Sequence, residues 1–482
     1  MKLADLMTGI SVVQTTADME TEIKDIKYDS RNVEKGDLFV AIVGFETDGH
    51  EYIKAAEARG AAAVVCEKRP ETGIPYILVE NSRQALAAIS ASYFGNPAHR
   101  MKIIGVTGTN GKTTTTFLLK EVLEKCENTS VGLIGTNRNM IGSRTIDTER
   151  TTPESYDLHK LFREMADSGC EYVVMEVSSH SLVLNRVHGI EFEIGIFTNL
   201  TQDHLDFHGT MENYAQAKAE MFKLCKMGII NIDDDYAGQM MSAAQCPVFT
   251  FSTEKDEADL LAKDIKLGSD SVKFLALIKG EIQRVSLKIP GEFSVYNALG
   301  VIAAAYKLGI SLKDISGALA QAEGVSGRVE VAYTNDDYTM LIDYAHTPDA
   351  LENVLNAVRG FSLGRTVILF GCGGDRDSKK RPLMGEIAAR LADFVIVTSD
   401  NPRTEEPARI IEDILQGMKD TKTPYAVIEN RREAITYAMN NAQKDDVIVL
   451  AGKGHETYQI VGENKYHMDE REIIAENLES GA

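Results

Sequence analysis

The chain has 482 residues, 44% hydrophobic and 26% charged, a globular composition long enough for about two to four domains. Its formal net charge of −21 excludes a general nucleic-acid or membrane-surface binder, and no run approaches the ~18 uninterrupted apolar residues of a membrane-spanning helix. An anionic ligand would have to be held by local positive potential, built from loop amides, Lys, Arg or a metal, against the field of the whole chain. The opening MKLADLMTGI has an early Lys and Asp with no apolar stretch behind them, so it does not read as a cleaved signal peptide. Six Cys, at 66, 126, 170, 225, 246 and 372, form no CxxC pair; this predicts reduced structural thiols in a cytoplasmic protein, with neither a zinc site nor a disulfide framework.

Residues 1 to about 100 mix short strand-like runs, such as Asp37–Ala41 and Ala61–Val65, with a helix around 50–59. The Phe94-Gly95-Asn96-Pro97 segment reads as a linker. An α/β rhythm follows. Ile103–Val106 is a short buried strand, then come a glycine-rich turn and a helix from Lys112 to about Lys125, and further apolar runs lie at 172–177, 194–198, 228–232 and 247–251. Helical stretches alternate with several of these, as a largely parallel sheet requires. A helical run at 295–308 closes this block, and a switch near 325–335 precedes the next. There, strand-like runs at 339–342, 366–370, 394–398, 425–428 and 446–450 lead into polar tails: Asp343-Tyr344-Ala345-His346, Gly371–Asp377, Asp400-Asn401-Pro402-Arg403 and Gly452–Glu456. Ligands of open α/β sheets bind beyond the carboxyl ends of the strands, so these tails predict a ligand site, although ordinary βα turns have the same outline.

The sharpest motif is Gly108-Thr109-Asn110-Gly111-Lys112-Thr113-Thr114 between a strand and a helix. Its glycines let backbone amides face phosphate oxygens at a helix N-terminus. Lys112 would reach the β/γ-phosphates and Thr113 would ligate Mg²⁺. The usual spacing fails because position 106 is Val, so the loop is a shortened GTNGKT. Glu176, at the tip of the strand ending at Val177, is placed either for a metal or for a turn cap. Asn199–Gly209 packs two His and two Asp into eleven residues, which suits metal or phosphate contact as well as a hydrogen-bonded turn. Spacing alone makes Lys218, in YAQAKAE, a solvated helix lysine.

The combination of GTNGKTT, EVSSH, NLTQDHLDFHG and DYAHTPDAL resembles the Mur ligase family of bacterial cell-wall synthesis, in order from about residue 25 to 470. The early Asp29–Val33 and Gly36–Ala41 segments look like the nucleotide-sugar domain of its later members. GCGGDRD, DNPR and GKGHE look like the members that add diaminopimelate as the third peptide residue. The resemblance implies an α/β, three-domain architecture: residues 1–98 for the UDP-sugar, a central P-loop-type ATP-binding domain over 99–330, and a Rossmann-like amino-acid domain over 331–482. It also implies an ATP- and Mg²⁺-dependent amide-forming ligase of peptidoglycan precursor synthesis. Such an enzyme joins meso-diaminopimelate to the D-glutamate of a UDP-N-acetylmuramoyl dipeptide through an acyl phosphate. A lysine-adding homologue and a non-catalytic ATP-binding regulator are the alternatives. Only small-molecule partners are expected, with no nucleic acid, no membrane insertion and a monomeric chain.

Residue by residue, the resemblance makes Lys112, Glu176, His204 and Lys218 catalytic, with Lys218 carrying a CO₂-derived carbamate. Thr113, Glu176, His204 and that carbamate would hold the metal. Gly108 to Thr114, Asn297, Arg328 and Asp343 match nucleotide contacts. Ser30, Thr151, Thr152, Ser178 and Arg186 match contacts to the UDP-sugar peptide; Leu184 stands where the family often has Gln. Arg376, Asp400, Asn401, Pro402, Arg403, Gly452 and Glu456 match the diaminopimelate site. The guanidinium of Arg403 can bind the second carboxylate that lysine lacks.

Overall fold

The structure is a computed structural model that describes residues 1–44, 47–148 and 150–480. The chain divides into two compact units, Met1–Phe251 with Ala303–Leu308 and Ser252–Ile302 with Gly309–Ala482.

The first unit begins with a sheet of β1 (Val12–Thr15), β2 (Ile26–Lys27), β3 (Leu38–Val40), β4 (Ala63–Cys66) and β5 (Tyr76–Val79). Their spatial order is β1-β5-β4-β3-β2, parallel except for β1. Leu38, Val40, Ala63 and Val65 face Leu86 and Ile89 of the helix Ser82–Tyr93. Phe39, Val64 and Cys66 face Ile53 and Ala56 on the other side. A parallel sheet covered on both faces needs unbroken apolar strands, which is why LFV and AVVC do not alternate with polar residues.

The second sheet of this unit contains β6 (Lys102–Thr107), β7 (Ser130–Ile134), β8 (Asn139–Ile141), β9 (Arg144–Ile146), β10 (Cys170–Glu176), β11 (Ile194–Phe197), β12 (Gly228–Asn231) and β13 (Val248–Ser252). Their order is β13-β12-β11-β6-β10-β7-β8-β9. The strands from β13 to β7 run parallel, and β8 and β9 add an antiparallel edge. The chain starts in the middle, at β6, and later strands are laid on both sides of it. The carboxyl ends of β6, β10 and β11 therefore converge at a topological switch point, where open α/β sheets bind ligands. Two phenol–carboxylate bonds of opposite sense tie the N-terminal sheet to the helix Ser155–Asp167. Tyr28 donates to Asp157 and Tyr156 donates to Asp25, each at 2.6 Å. Burial pushes both phenols above their ordinary pKa, so they stay donors.

The second unit contains an antiparallel meander of β14 (Leu260–Leu267), β15 (Val272–Ile278) and β16 (Glu281–Leu287). Sequence reading passes over this meander. Its larger sheet comprises β17 (Glu330–Thr334), β18 (Tyr338–Asp343), β19 (Thr366–Phe370), β20 (Phe394–Val397), β21 (Tyr425–Val427) and β22 (Asp446–Ala451). The order is β17-β18-β22-β19-β20-β21, parallel except for β17. Leu341, Ile368, Val395 and Val449 belong to the core on one face, and Met340, Val367, Ile396 and Ile448 to that on the other. The hairpin of β23 (Tyr458–Val461) and β24 (Asn464–His467) follows. The expected 295–308 helix is Glu292–Lys307. No helix of the described residues is long and apolar enough to cross a membrane.

His159, on the helix Ser155–Asp167, is 2% exposed, and neither ring nitrogen has a hydrogen-bond partner. Burial lowers its pKa from 6.5 to about 4. Between these values the unfolded chain holds the extra proton, so stability rises with pH and is lost on acidification. Urea unfolding at pH 7 and pH 4 should show this imidazole removing up to roughly 3 kcal/mol, and His159→Leu should flatten the dependence by that amount.

Candidate functional site at the switch point and the second sheet edge

The phosphate loop leaves β6 and enters the helix Lys112–Glu127. Gly108 has φ +152°, and a Cβ there would lie 1.9 Å from Thr198 Oγ1, so only glycine fits. The loop is pinned to the segment after β11. Thr109 N donates to Asn199 O (2.8 Å), Asn110 N to Asn199 Oδ1 (2.9 Å), and Thr198 Oγ1 to Asn110 O (2.7 Å). Lys112 Nζ folds back on the carbonyls of Gly108 (2.9 Å) and Thr109 (2.8 Å). Thr113 and Thr114 are buried on the first helical turn.

Glu176 ends β10 and joins this loop to a second one. Its carboxylate accepts from Thr113 Oγ1 (3.0 Å), Thr136 N (2.9 Å) and Thr136 Oγ1 (3.0 Å). The approach requires Gly135, where a Cβ would stand 2.4 Å from Glu176 Oε1. Thr136 Oγ1 meets Thr151 Oγ1 at 2.9 Å. Thr152 Oγ1 donates to Glu176 O (2.8 Å) and accepts from Ser178 N (3.1 Å), while Arg186 Nη1 donates to Thr152 O (3.1 Å). Thr151, Thr152, Ser178 and Arg186 thus form one connected set with the phosphate loop.

Lys218 corrects the expectation drawn from spacing. It is 1% exposed, and its Nζ donates to Gly108 O at 2.8 Å. Burial, reinforced by nearby Lys112, drives its pKa well below the ordinary value; helix periodicity did not reveal that this face of the helix Met211–Ala219 packs under the loop. His204 has φ +52°, in the left-handed region that non-glycine residues occupy chiefly at constrained sites. Its ring lies 4.8 Å from that of His180. Burial lowers the pKa of His180, His204 and His208, the last to about 4, so these imidazoles are neutral near pH 7. Among the described residues no group of three His, Cys, Asp or Glu stands in metal-binding geometry.

A cavity of about 590 Å³ opens beside this set, lined by Ser30, Arg31, Arg83, Arg150, Glu154 and Arg186 among others. Glu154, 4% exposed, is the shared counter-ion of Arg83 (3.2 Å), Arg186 (3.3 Å) and Arg150 (3.8 Å). Sequence reasoning missed Arg83, Arg150 and Glu154. Glu154 lies two residues beyond Thr152, so adjacency was a usable signal; Arg83 comes from the N-terminal sheet's helix and had none.

In the second unit, the tails of β18, β19, β20 and β22 share one sheet edge. Asn401 Nδ2 donates to Glu456 Oε2 (3.0 Å), Gly452 N to Asp343 O (3.0 Å), and Arg403 Nη1 to Gly374 O (2.8 Å). Arg403 has φ +52°, and its N–H is held by Ile460 O (3.1 Å). Buried Arg381, also missed, binds Glu405 through both terminal nitrogens (2.9 and 2.8 Å); Glu405 accepts from Asp375 N (2.6 Å), which welds the β19 and β20 tails. Pro402 is buried within this turn. Arg376 is exposed, with Nη1 on Asp375 O (3.3 Å). The Asp343 carboxylate accepts from Val329 N and Ala345 N, each at 2.8 Å, and holds the turn that carries Arg328. Burial raises the Asp343 pKa, and the neighbouring Arg328 opposes the rise. Asn297 is buried on the helix Glu292–Lys307.

These sheets and the loop at the switch point define an α/β protein of P-loop type. Three family models match it: Mur ligase family, catalytic domain, over 22–94; Mur ligase middle domain over 106–305; and Mur ligase, glutamate ligase domain, over 327–454. The chain belongs to the Mur ligase family. Proteins named UDP-N-acetylmuramoyl-L-alanyl-D-glutamate–2,6-diaminopimelate ligase from Clostridium tetani and from Caldanaerobacter subterraneus subsp. tengcongensis are each 50% identical to it, over 99% of both chains. A solved structure of a ligase of that name superposes with a TM-score of 0.75 at 31% identity, covering 100% of this chain and 99% of the other. The MurF ligase from Thermotoga maritima in complex with ADP shares the fold, with a TM-score of 0.59 at 21% identity over 96% and 98% of the two chains.

Removing Glu154 strands buried arginines. Glu154→Leu is expected to lower the free energy of unfolding by about 3–5 kcal/mol, as loss of one partner from a buried ion pair does, whereas Glu154→Gln keeps one acceptor oxygen for the arginines and should lose less. Urea titration of both variants measures the difference.

Proposed function

We propose that this chain joins meso-diaminopimelate to the D-glutamyl side-chain carboxylate of UDP-N-acetylmuramoyl-L-alanyl-D-glutamate, using ATP. The observation that carries this reading is the Glu176 carboxylate, which connects Thr113 of the phosphate loop to the Thr136–Thr151 hydroxyl pair. A phosphoryl donor and a carboxylate acceptor held on those two elements would be neighbours. Arg31, Arg83, Arg150 and Arg186 supply the local positive charge that the diphosphate of a UDP-sugar needs, with Ser30 at the uridine side.

The γ-phosphoryl group passes from ATP to the D-glutamyl carboxylate, giving an acyl phosphate and ADP. Loop amides and Lys112 offset the charge on the transferred group. The neutral amine of diaminopimelate then attacks the acyl carbon, and phosphate leaves from the tetrahedral intermediate. The donor set suits Mg²⁺: the Thr113 hydroxyl and Glu176 carboxylate are hard oxygen ligands, and Mg²⁺ uses few protein oxygens and completes its shell with water and phosphate. Thr113, Glu176, His204 and carbamylated Lys218 would hold it, and it would neutralise phosphate charge. The buried Lys218 amine, with its depressed pKa, is a nucleophile for CO₂; the nitrogen–carbon bond forms as the amine loses a proton, leaving an anion. Asn297, Arg328 and Asp343 serve the nucleotide, Asp343 by holding the turn of Arg328.

At the second sheet edge Arg403 and Arg376 bind diaminopimelate carboxylates, while Asp400 and Glu456 take an ammonium. The half-identical relatives are named for diaminopimelate, which favours this amino acid over lysine. Product mass in an equimolar competition of the two tests it: the diaminopimelate product should dominate, lysine product in excess would overturn the amino acid, and no ATP turnover with either would overturn the ligase. Arg403→Ala should reduce the preference by roughly ten- to a hundredfold, the worth of one charge-assisted contact. Lys218→Ala should abolish both ligation and the mass increment of one CO₂ on the intact protein.

A further inference from the structure

Lys453 has no part in the assignments above, yet it is a fully enclosed cation at the amino-acid edge. Its side chain is 0% exposed. Nζ donates to Asn401 Oδ1 at 2.6 Å, to Tyr458 O at 2.8 Å and to Glu456 Oε2 at 3.4 Å, and lies 3.7 Å from Asp400 Oδ1. Asn401 Oδ1 also accepts from Ile460 N at 2.9 Å. With two donors on its oxygen, the Asn401 amide has one orientation, and its Nδ2 must face Glu456. A surface lysine would spend its three donors on water; this one spends them on one amide oxygen, one backbone carbonyl and one carboxylate, with a second carboxylate close by.

We propose that Lys453 is the positioning residue of the amino-acid site, setting both its shape and its charge. Asp400, Glu456 and Lys453 together carry one net negative charge, the complement of a single ammonium. Without Lys453 the two carboxylates carry two, and the Asn401 amide keeps only Ile460 N and Glu456 to hold it. The inference rests on the reading of this edge as the diaminopimelate site. Burial, with Arg431 nearby, lowers the lysine's pKa while Asp400 and Glu456 oppose the fall, and burial strengthens its hold on oxygens at these distances.

The test is steady-state kinetics of full-length Lys453→Met, Lys453→Arg and Asn401→Asp, with each of the three substrates varied in turn. Asn401→Asp keeps the oxygen that Lys453 binds but puts an acceptor against Glu456, so it probes the amide orientation even if Lys453→Met does not fold. Lys453→Met and Asn401→Asp should raise KM for diaminopimelate by roughly ten- to a hundredfold, with the KM values for ATP and the UDP-sugar peptide changed less than about twofold. Lys453→Arg, which keeps the charge, should recover part of the loss. A fall in Tm with all three KM values unchanged would overturn the proposal and leave Lys453 a structural residue. Wild-type protein that does not turn over diaminopimelate would instead refute the underlying site assignment.

Discussion

Everything at the switch point hangs on one carboxylate. Glu176 ends a central strand and accepts from Thr113 on one side and Thr136 on the other. A buried carboxylate is tolerable only when its oxygens are satisfied, so burying Glu176 obliges two loops to present donors within 3.0 Å of it. The loop before the helix Lys112–Glu127 and the loop after β7 are separate in sequence, and no apolar contact would fix their distance as narrowly. The carboxylate converts a generic sheet edge into a site with a defined span.

The same principle settles how a strongly acidic chain receives anions. A net charge of −21 repels phosphates at long range, but exposed charges are screened beyond about 8–10 Å. Inside the cavity, Arg83, Arg150 and Arg186 share the single Glu154, which leaves local positive charge in a walled space. At the phosphate loop, amides at a helix N-terminus together with Lys112 supply positive potential in the same local way. In both places geometry outweighs the sum over the whole surface.

The runs at 366–370 and 194–198 stood out in the sequence because parallel strands buried on both faces are unbroken apolar runs. The phosphate loop stood out because its glycines and lysine have a spacing dictated by phosphate. The meander over 260–287 did not: LLAKDIKL alternates weakly, and a sheet edge wet on one side gives no such run. Lys218 was misread from spacing because burial there comes from a loop more than a hundred residues earlier. Arg83 and Lys453 escaped for a related reason: their significance lies in which oxygens they meet, and those oxygens belong to Glu154 and Asn401, far away in the chain. Local pattern reported strands and turns; partners across the fold had to be seen.

The paired tyrosines have a consequence for how this chain can vary. Tyr28 reaches Asp157 and Tyr156 reaches Asp25, so each side of the junction supplies one donor and one acceptor. Such an exchange works as a two-part key. Transplanting the first ninety-odd residues from a relative that lacks either half would leave a carboxylate and a phenol facing partners that do not answer. The N-terminal segment is therefore not an interchangeable module: positions 25, 28, 156 and 157 act as a set, and chimeras that divide the chain near Asn96 must carry all four from one parent.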